Sequence, residues 1–149
     1  IKSAIALCQK YDSPVARLVE KGIERIGRPL QDIQTAVENM GNVEVARLEK
    51  GLPMLATIAG GAPMIGFLGT VTGMIEAFFR MSTAGNNIDI TLLSGGIYEA
   101  MVTTVGGLFV GIIAYFGYNY LTSQISNLVF KMESTTIEFI DMLHEPAGE

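Results

Sequence analysis

Gly51–Phe79, GLPMLATIAGGAPMIGFLGTVTGMIEAFF, carries no charged side chain before Glu76 and has glycine or proline at almost every turn. A bilayer core of about 30 Å needs roughly 20 apolar residues of helix at about 1.5 Å each, and Gly51 to Ile75 alone exceeds that. The stretch is read as a transmembrane helix. In water, each of Gly60, Gly61, Gly66, Gly69 and Gly73 would cost a helix interior up to about 1 kcal/mol relative to alanine. Between spanning helices the same glycines let backbones approach closely. Ala62, Gly66, Gly69, Thr70, Gly73 and Ala77 recur at three- and four-residue steps and form one such seam.

Working outward, the composition fits a chain partly wet and partly in lipid: 149 residues, 49% hydrophobic, 17% charged, with mean hydropathy +0.38. A net charge of −5 and the absence of any basic run argue against nucleic acid as a partner. Cys8 is the only cysteine, which excludes an intramolecular disulfide or a zinc cluster built on thiolates. The first residue is Ile1, not methionine, so the sequence is expected to be a fragment or a partial record, in which any earlier transmembrane helix or signal is not seen.

Residues 1–50 read as a cytoplasmic helical region. Asp12 or Ser13 before Pro14 is a helix start. Val15, Leu18, Val19, Gly22 and Ile26 then share one face of a helix running toward Gly27. Arg28-Pro29 interrupts it, because the residue before proline is pushed out of the helical region. A second helix carries Leu30, Ile33, Val37 and Met40 on its apolar face, with Gly41-Asn42 as a break or a weak point. The charges around these faces read either as a docking surface or as solvated helix faces with ion pairs.

After a short loop, residues 80–92, with Gly85, Asn86, Asn87 and Asp89, a second span covers 93–118 with Glu99 as its one charge. Gly96, Ala100, Thr104, Gly107 and Gly111 form its small seam. Tyr115, Tyr118 and Tyr120 sit where an interfacial aromatic belt belongs. Leu121, Ile125, Leu128, Met132, Phe139 and Leu143 continue at helical spacing, so residues 119–149 read as a cytoplasmic extension and tail. Nine of the ten basic residues lie on segments that share a side of the hairpin, and only Arg80 borders the loop. The positive-inside rule therefore places both ends in the cytoplasm and the loop outside. The expected fold is an all-α membrane protein: a long transmembrane hairpin with cytoplasmic helical extensions, assembling as a helical-bundle oligomer.

Chemistry-bearing residues are sparse. No phosphate loop, nucleophile with a base, metal cluster or cofactor motif is present, and an enzyme is not expected. His144, the only histidine, reads as a helix-end residue. What stands out is polarity inside the spans: Glu99, Thr70, Thr72, Thr103, Thr104 and Asn119. A carboxylate in a span is expensive and marks a functional candidate, unless Glu99 reaches the outer headgroups. Threonine is a cheaper tenant, since its hydroxyl can bond back to a carbonyl one turn earlier. Pro63 removes a backbone bond to the Ala59 carbonyl and is a candidate helix kink. Glu76 and Arg80 form an i, i+4 pair read as structural.

Leu48–Ala59 and Ala62–Ile75 resemble the second transmembrane helix of the ExbB/TolQ/MotA proton-channel family, nearest to ExbB and TolQ. Gly96–Leu108 resembles the third helix, and Tyr118-Asn119 stands at the family's Tyr-Asn pair. About half of the chain is covered well. The resemblance implies a homo-oligomer, a pentamer in ExbB, in the bacterial inner membrane. Its second and third helices surround the single span of an ExbD- or TolR-like partner, which carries a proton-accepting aspartate. The motion passes to a TonB- or TolA-like transducer. Thr70 and Thr104 match the family's pore threonines and Glu99 its third-helix glutamate, whereas Gly66, Gly69, Gly73, Gly107 and Gly111 are assigned to helix packing by their spacing. Ile113 stands where ExbB and TolQ usually have proline, and Thr72 where they usually have tryptophan. At about 100° per residue, Glu99 and Thr104 are about 140° apart and cannot both point at one axis. The expected function is a subunit of a proton-driven motor acting on a TonB-like transducer for outer-membrane transport. A Tol-type envelope motor, a gliding or flagellar stator, and a structural scaffold without a proton path stay open as alternatives.

Overall fold

The computed structural model describes residues 2–84 and 90–144, with the side chain of Leu92 excepted. Among these residues the chain is helical, without strands: α1 (Lys2–Lys10), α2 (Pro14–Ile23), α3 (Leu30–Leu48), α4 (Leu52–Thr83) and α5 (Ile90–His144). The chain divides into two compact units. One is Ile1–Lys50 with Thr122–Glu149, and the other is Gly51–Leu121, so α5 contributes to both. The loop residues Gly85, Asn86, Asn87 and Asp89 and the last five residues lie outside the described set.

The first unit is a helical cluster around an apolar core. The Ser13 hydroxyl accepts from the Ala16 amide and Pro14 opens α2, satisfying one of the four free amides of a helix start. α2 stops at Ile23, earlier than the apolar spacing suggests, and Ile26 is exposed on the turn that follows. Gly27, at φ +99°, takes the left-handed conformation that redirects the chain into Arg28-Pro29 and α3. α3 runs unbroken through Gly41-Asn42. The glycine costs it about 1 kcal/mol, and burial of Ile33, Ala36 and Val37 on its face outweighs that. Leu18 and Ile23 of α2, Ile33 and Val37 of α3, and Met132 and Phe139 of α5 form one core, with Ile5 and Cys8 of α1 packed on it. Gly22 lets the Phe139 ring lie on α2: a Cβ there would be 2.3 Å from the ring.

The second unit is inverted with respect to such a core. Its buried residues are small, among them Gly66, Ala77, Ala100, Gly111 and Ala114, and its large apolar side chains point out. Met64 is 73% exposed and Phe116 70%. Water would reject that arrangement, whereas lipid tails or neighbouring helices accept it. Gly51, at φ +99°, turns the chain into α4, with Pro53 in its first turn. Leu30–Thr83 and Leu93–His144 are helical stretches long and apolar enough to cross a membrane by length and composition. Within the first, α3 carries Asp32, Glu38, Glu44 and Arg47, Glu49 and Lys50 follow it, and α4 has only Glu76 and Arg80 near its end, which leaves α4 as the apolar part.

Candidate functional site

The glycines of α4 and α5 meet in antiparallel order. A Cβ at Gly107 would lie 2.5 Å from the Ala62 carbonyl oxygen and 2.8 Å from Gly66 Cα. One at Gly73 would lie 2.8 Å from Ala100 Cβ, and one at Gly96 2.7 Å from Ala77 Cβ. Gly69 faces the Thr103 side chain, and Gly111 the ring of Pro63. α4 continues through Pro63. The Ala59 carbonyl, whose usual donor that proline lacks, approaches Gly111, 3.2 Å from where a Cβ would stand.

At the centre of this seam the structure brings Thr70 and Thr104 together, their hydroxyls hydrogen-bonded to each other. The Thr104 hydroxyl also lies 3.1 Å from the Gly66 carbonyl oxygen, and that of Thr70 3.1 Å from the Ala100 carbonyl. Thr103 donates to the Ala100 carbonyl at 2.7 Å and lies 3.3 Å from that of Gly66. Three hydroxyl protons thus share two carbonyl oxygens of opposite helices and the lone pairs of one another. Each hydroxyl has alternative acceptors, so the cluster can reorient without leaving a donor unpaired. The bare Gly66 backbone is what opens its carbonyl to α5. Thr103, one residue from the pair, is a member that the motif match does not single out. Its signal is its place about 40° from Glu99 on the helix.

Glu99 does not join this cluster. It is exposed and lines an adjoining groove of about 620 Å³ together with Thr72, Glu76, Arg80, Thr91 and Thr103. Arg80 donates to Glu76 at 2.5 Å within that groove. Thr72 donates back to carbonyls of its own helix, Leu68 at 3.0 Å or Gly69 at 3.1 Å. Asn119 does the same to Tyr115 at 2.9 Å. Among the described residues no group of His, Cys, Asp and Glu could hold a metal ion.

The first unit holds a polar feature of its own. Glu44 is 1% exposed and accepts from Arg17 at 2.7 Å and Arg47 at 2.9 Å. Arg17 also pairs with Asp12. The hydrogen bond from Arg17 outweighs burial and holds the Glu44 carboxyl below its ordinary value, and the bond to Glu44 raises Arg17 in turn.

Comparison with known proteins places this geometry in context. A sequence model of the MotA/TolQ/ExbB proton channel family matches residues 10–134. A biopolymer transport ExbB homolog from Methanothermobacter thermautotrophicus is 33% identical over 124 residues, covering 83% of this chain and 43% of that protein. The Tol-Pal system protein TolQ of Haemophilus influenzae is 36% identical over 106 residues, 71% of this chain and 46% of its own. That of Pseudomonas aeruginosa is 28% identical over 144 residues, 89% and 62% respectively. The chain thus spans less than half the length of the first two relatives.

Proposed function

Since the chain belongs to the MotA/TolQ/ExbB proton channel family, we propose that it is the ExbB-type subunit of a proton-driven motor in a bacterial inner membrane, acting on a TonB-like transducer. In this reading several copies, five by analogy with ExbB, surround the single span of an ExbD- or TolR-like partner. That partner's aspartate takes and releases the proton. α4 and α5 are the spans, with their connecting loop outside and the first unit in the cytoplasm.

The observation that carries the reading is the Thr70–Thr104 hydroxyl pair, set with Thr103 between two apolar, glycine-seamed helices. A hydroxyl cluster with spare acceptors can solvate an incoming carboxyl group where water is scarce, and it costs far less in lipid than a charge. Glu99, in the adjoining groove, is placed to pass protons from the outer side.

Reconstituted proton flux tests this, using the full-length protein with its single-span partner. Thr→Val keeps the shape and removes only the hydroxyl. Because Thr70 and Thr104 are each other's partners, Thr70→Val, Thr104→Val and the double variant should all lower flux to a similar low level, with assembly intact. Thr57→Val, whose hydroxyl bonds only Pro53 of its own helix at 2.8 Å, should leave it unchanged. Wild-type flux in both Thr70→Val and Thr104→Val would return a structural scaffold to first place.

A further inference from the structure

The first unit carries a groove that its own core leaves open. It lies between α3 and the carboxy-terminal turns of α5 and encloses about 610 Å³. Val45, Ile137 and Ile140 line its apolar part; Val45 and Ile140 are half-buried against the core, and Ile137 is 62% exposed. Glu38, Glu133 and Asp141 are also in its lining, which contains no basic residue. Among the described residues no ion pair engages these three carboxylates, and only Glu38 accepts a side-chain hydrogen bond, from Gln34 at 2.9 Å.

We propose that this groove is a docking site for a basic amphipathic helix of a partner protein, its apolar stripe on Val45, Ile137 and Ile140 and its lysines or arginines against Glu38, Glu133 and Asp141. The lining residues of α3 and of α5 each recur at three- and four-residue spacing, which suits a helix whose anchors recur at i, i+3, i+4 and i+7. The lining of α5 runs from Val129 to Asp141. At 1.5 Å per residue that is about 18 Å, or roughly three turns of a bound helix.

Charge complementarity selects the partner's chemistry, since three carboxylates without a cation partner among the described residues, beside an apolar floor, favour cations and repel acidic segments. The described part of this chain supplies no such helix. Arg17, Lys21, Arg47 and Arg80 are already paired with carboxylates. α1, with Lys2 and Lys10, spends Ile5 and Cys8 on its own core. The proposal does not depend on the proton path.

The test uses the full-length protein in nanodiscs and a fluorescent synthetic 14-residue helix with leucines at i, i+3, i+4 and i+7 and four flanking lysines. A second peptide has glutamates in place of the lysines. Anisotropy should show the lysine peptide binding at least tenfold more tightly than the glutamate peptide, and less tightly as salt rises. The double variant Glu133→Lys/Asp141→Lys should reverse that order, a gain that a misfolded protein would not give. Equal binding of the two peptides, or an unchanged order in the double variant, would overturn the proposal. So would efficient disulfide formation between two copies of Ile137→Cys, which would make a second copy the occupant.

Discussion

Glu44 shows how a single residue hides in a sequence. By type it reads as a solvated charge, yet Ile33, Val37, Met40 and Glu44 follow steps of four, three and four, which puts it on the buried stripe of α3. The period was available; the arginines that make its burial tolerable come from α2 and the end of α3, and no local pattern announces them. Glu44 is the buried member of the cluster, and glutamine replaces two charge-assisted hydrogen bonds by weaker neutral ones while Arg17 keeps Asp12, so Glu44→Gln should destabilise the first unit by about 2 to 3 kcal/mol at pH 7. Hydrogen exchange of the intact protein should then show the amides around Leu18 exchanging on the order of a hundredfold faster. The pH dependence follows from the lowered carboxyl. Its contribution is complete above the unfolded-state value of about 4.3 and is lost as pH falls through the lower folded value, so variant and wild type should converge in acid. A constant gap down to pH 2 would discard the ionised pair. Thr122 offers the opposite case: among the described residues its buried hydroxyl has no hydrogen-bond partner, so Thr122→Val should be neutral or slightly stabilising in the same assay.

At the scale of helices, what could be read was which side of α4 and α5 is small, because glycine, alanine and threonine recur at three- and four-residue steps. What could not be read was the register that sets Gly66 against Gly107, Gly73 against Ala100 and Gly96 against Ala77. Periodicity describes one helix at a time, and a seam is equally consistent with a second copy. The same limit hid the mutual bond of Thr70 and Thr104. The continuous α5 was legible from the lack of any stop signal, whereas the early end of α2 depends on the turn at Gly27. The register makes a sharp contrast between adjacent glycines. A Cβ at Gly107 meets backbone, which cannot yield, while one at Gly106 meets nothing within 4 Å. Gly107→Leu and Gly66→Leu should therefore force the helices apart and lower both the melting temperature in detergent and the copy number seen by native mass spectrometry. Gly106→Ala should leave the melting temperature within error. Wild-type values for both leucine variants would mean that the seam does not hold the helices together.

For the whole molecule, the fold class was legible because the bilayer imposes its own grammar: two long apolar stretches, glycine where water would penalise it, and charge held to the flanks. Membership of a proton channel family was legible through long motif stretches, since hydroxyls and one carboxylate do not by themselves name a reaction. Topology rests on charge. Lys2, Lys10, Arg17, Lys21, Arg25, Arg28, Arg47, Lys50 and Lys131 all fall outside the 51–118 segment, and Arg80 is the only basic residue within it. Retention of positive charge on the cytoplasmic side should fix the hairpin with the loop outward. With Cys8 replaced, Asn86→Cys in intact cells should react with a membrane-impermeant maleimide added from the periplasmic side. Ser126→Cys, eight residues past Tyr118, should react only after the inner membrane is opened. If Arg80 instead anchored the loop inside, the two labels would exchange their accessibility. Moving charge tests the cause directly: adding lysines at Asn86 and Asn87 while neutralising Arg47, Lys50 and Lys131 should produce a mixed population labelled from both sides. A single unchanged orientation in that variant would show that something other than the basic residues sets the topology.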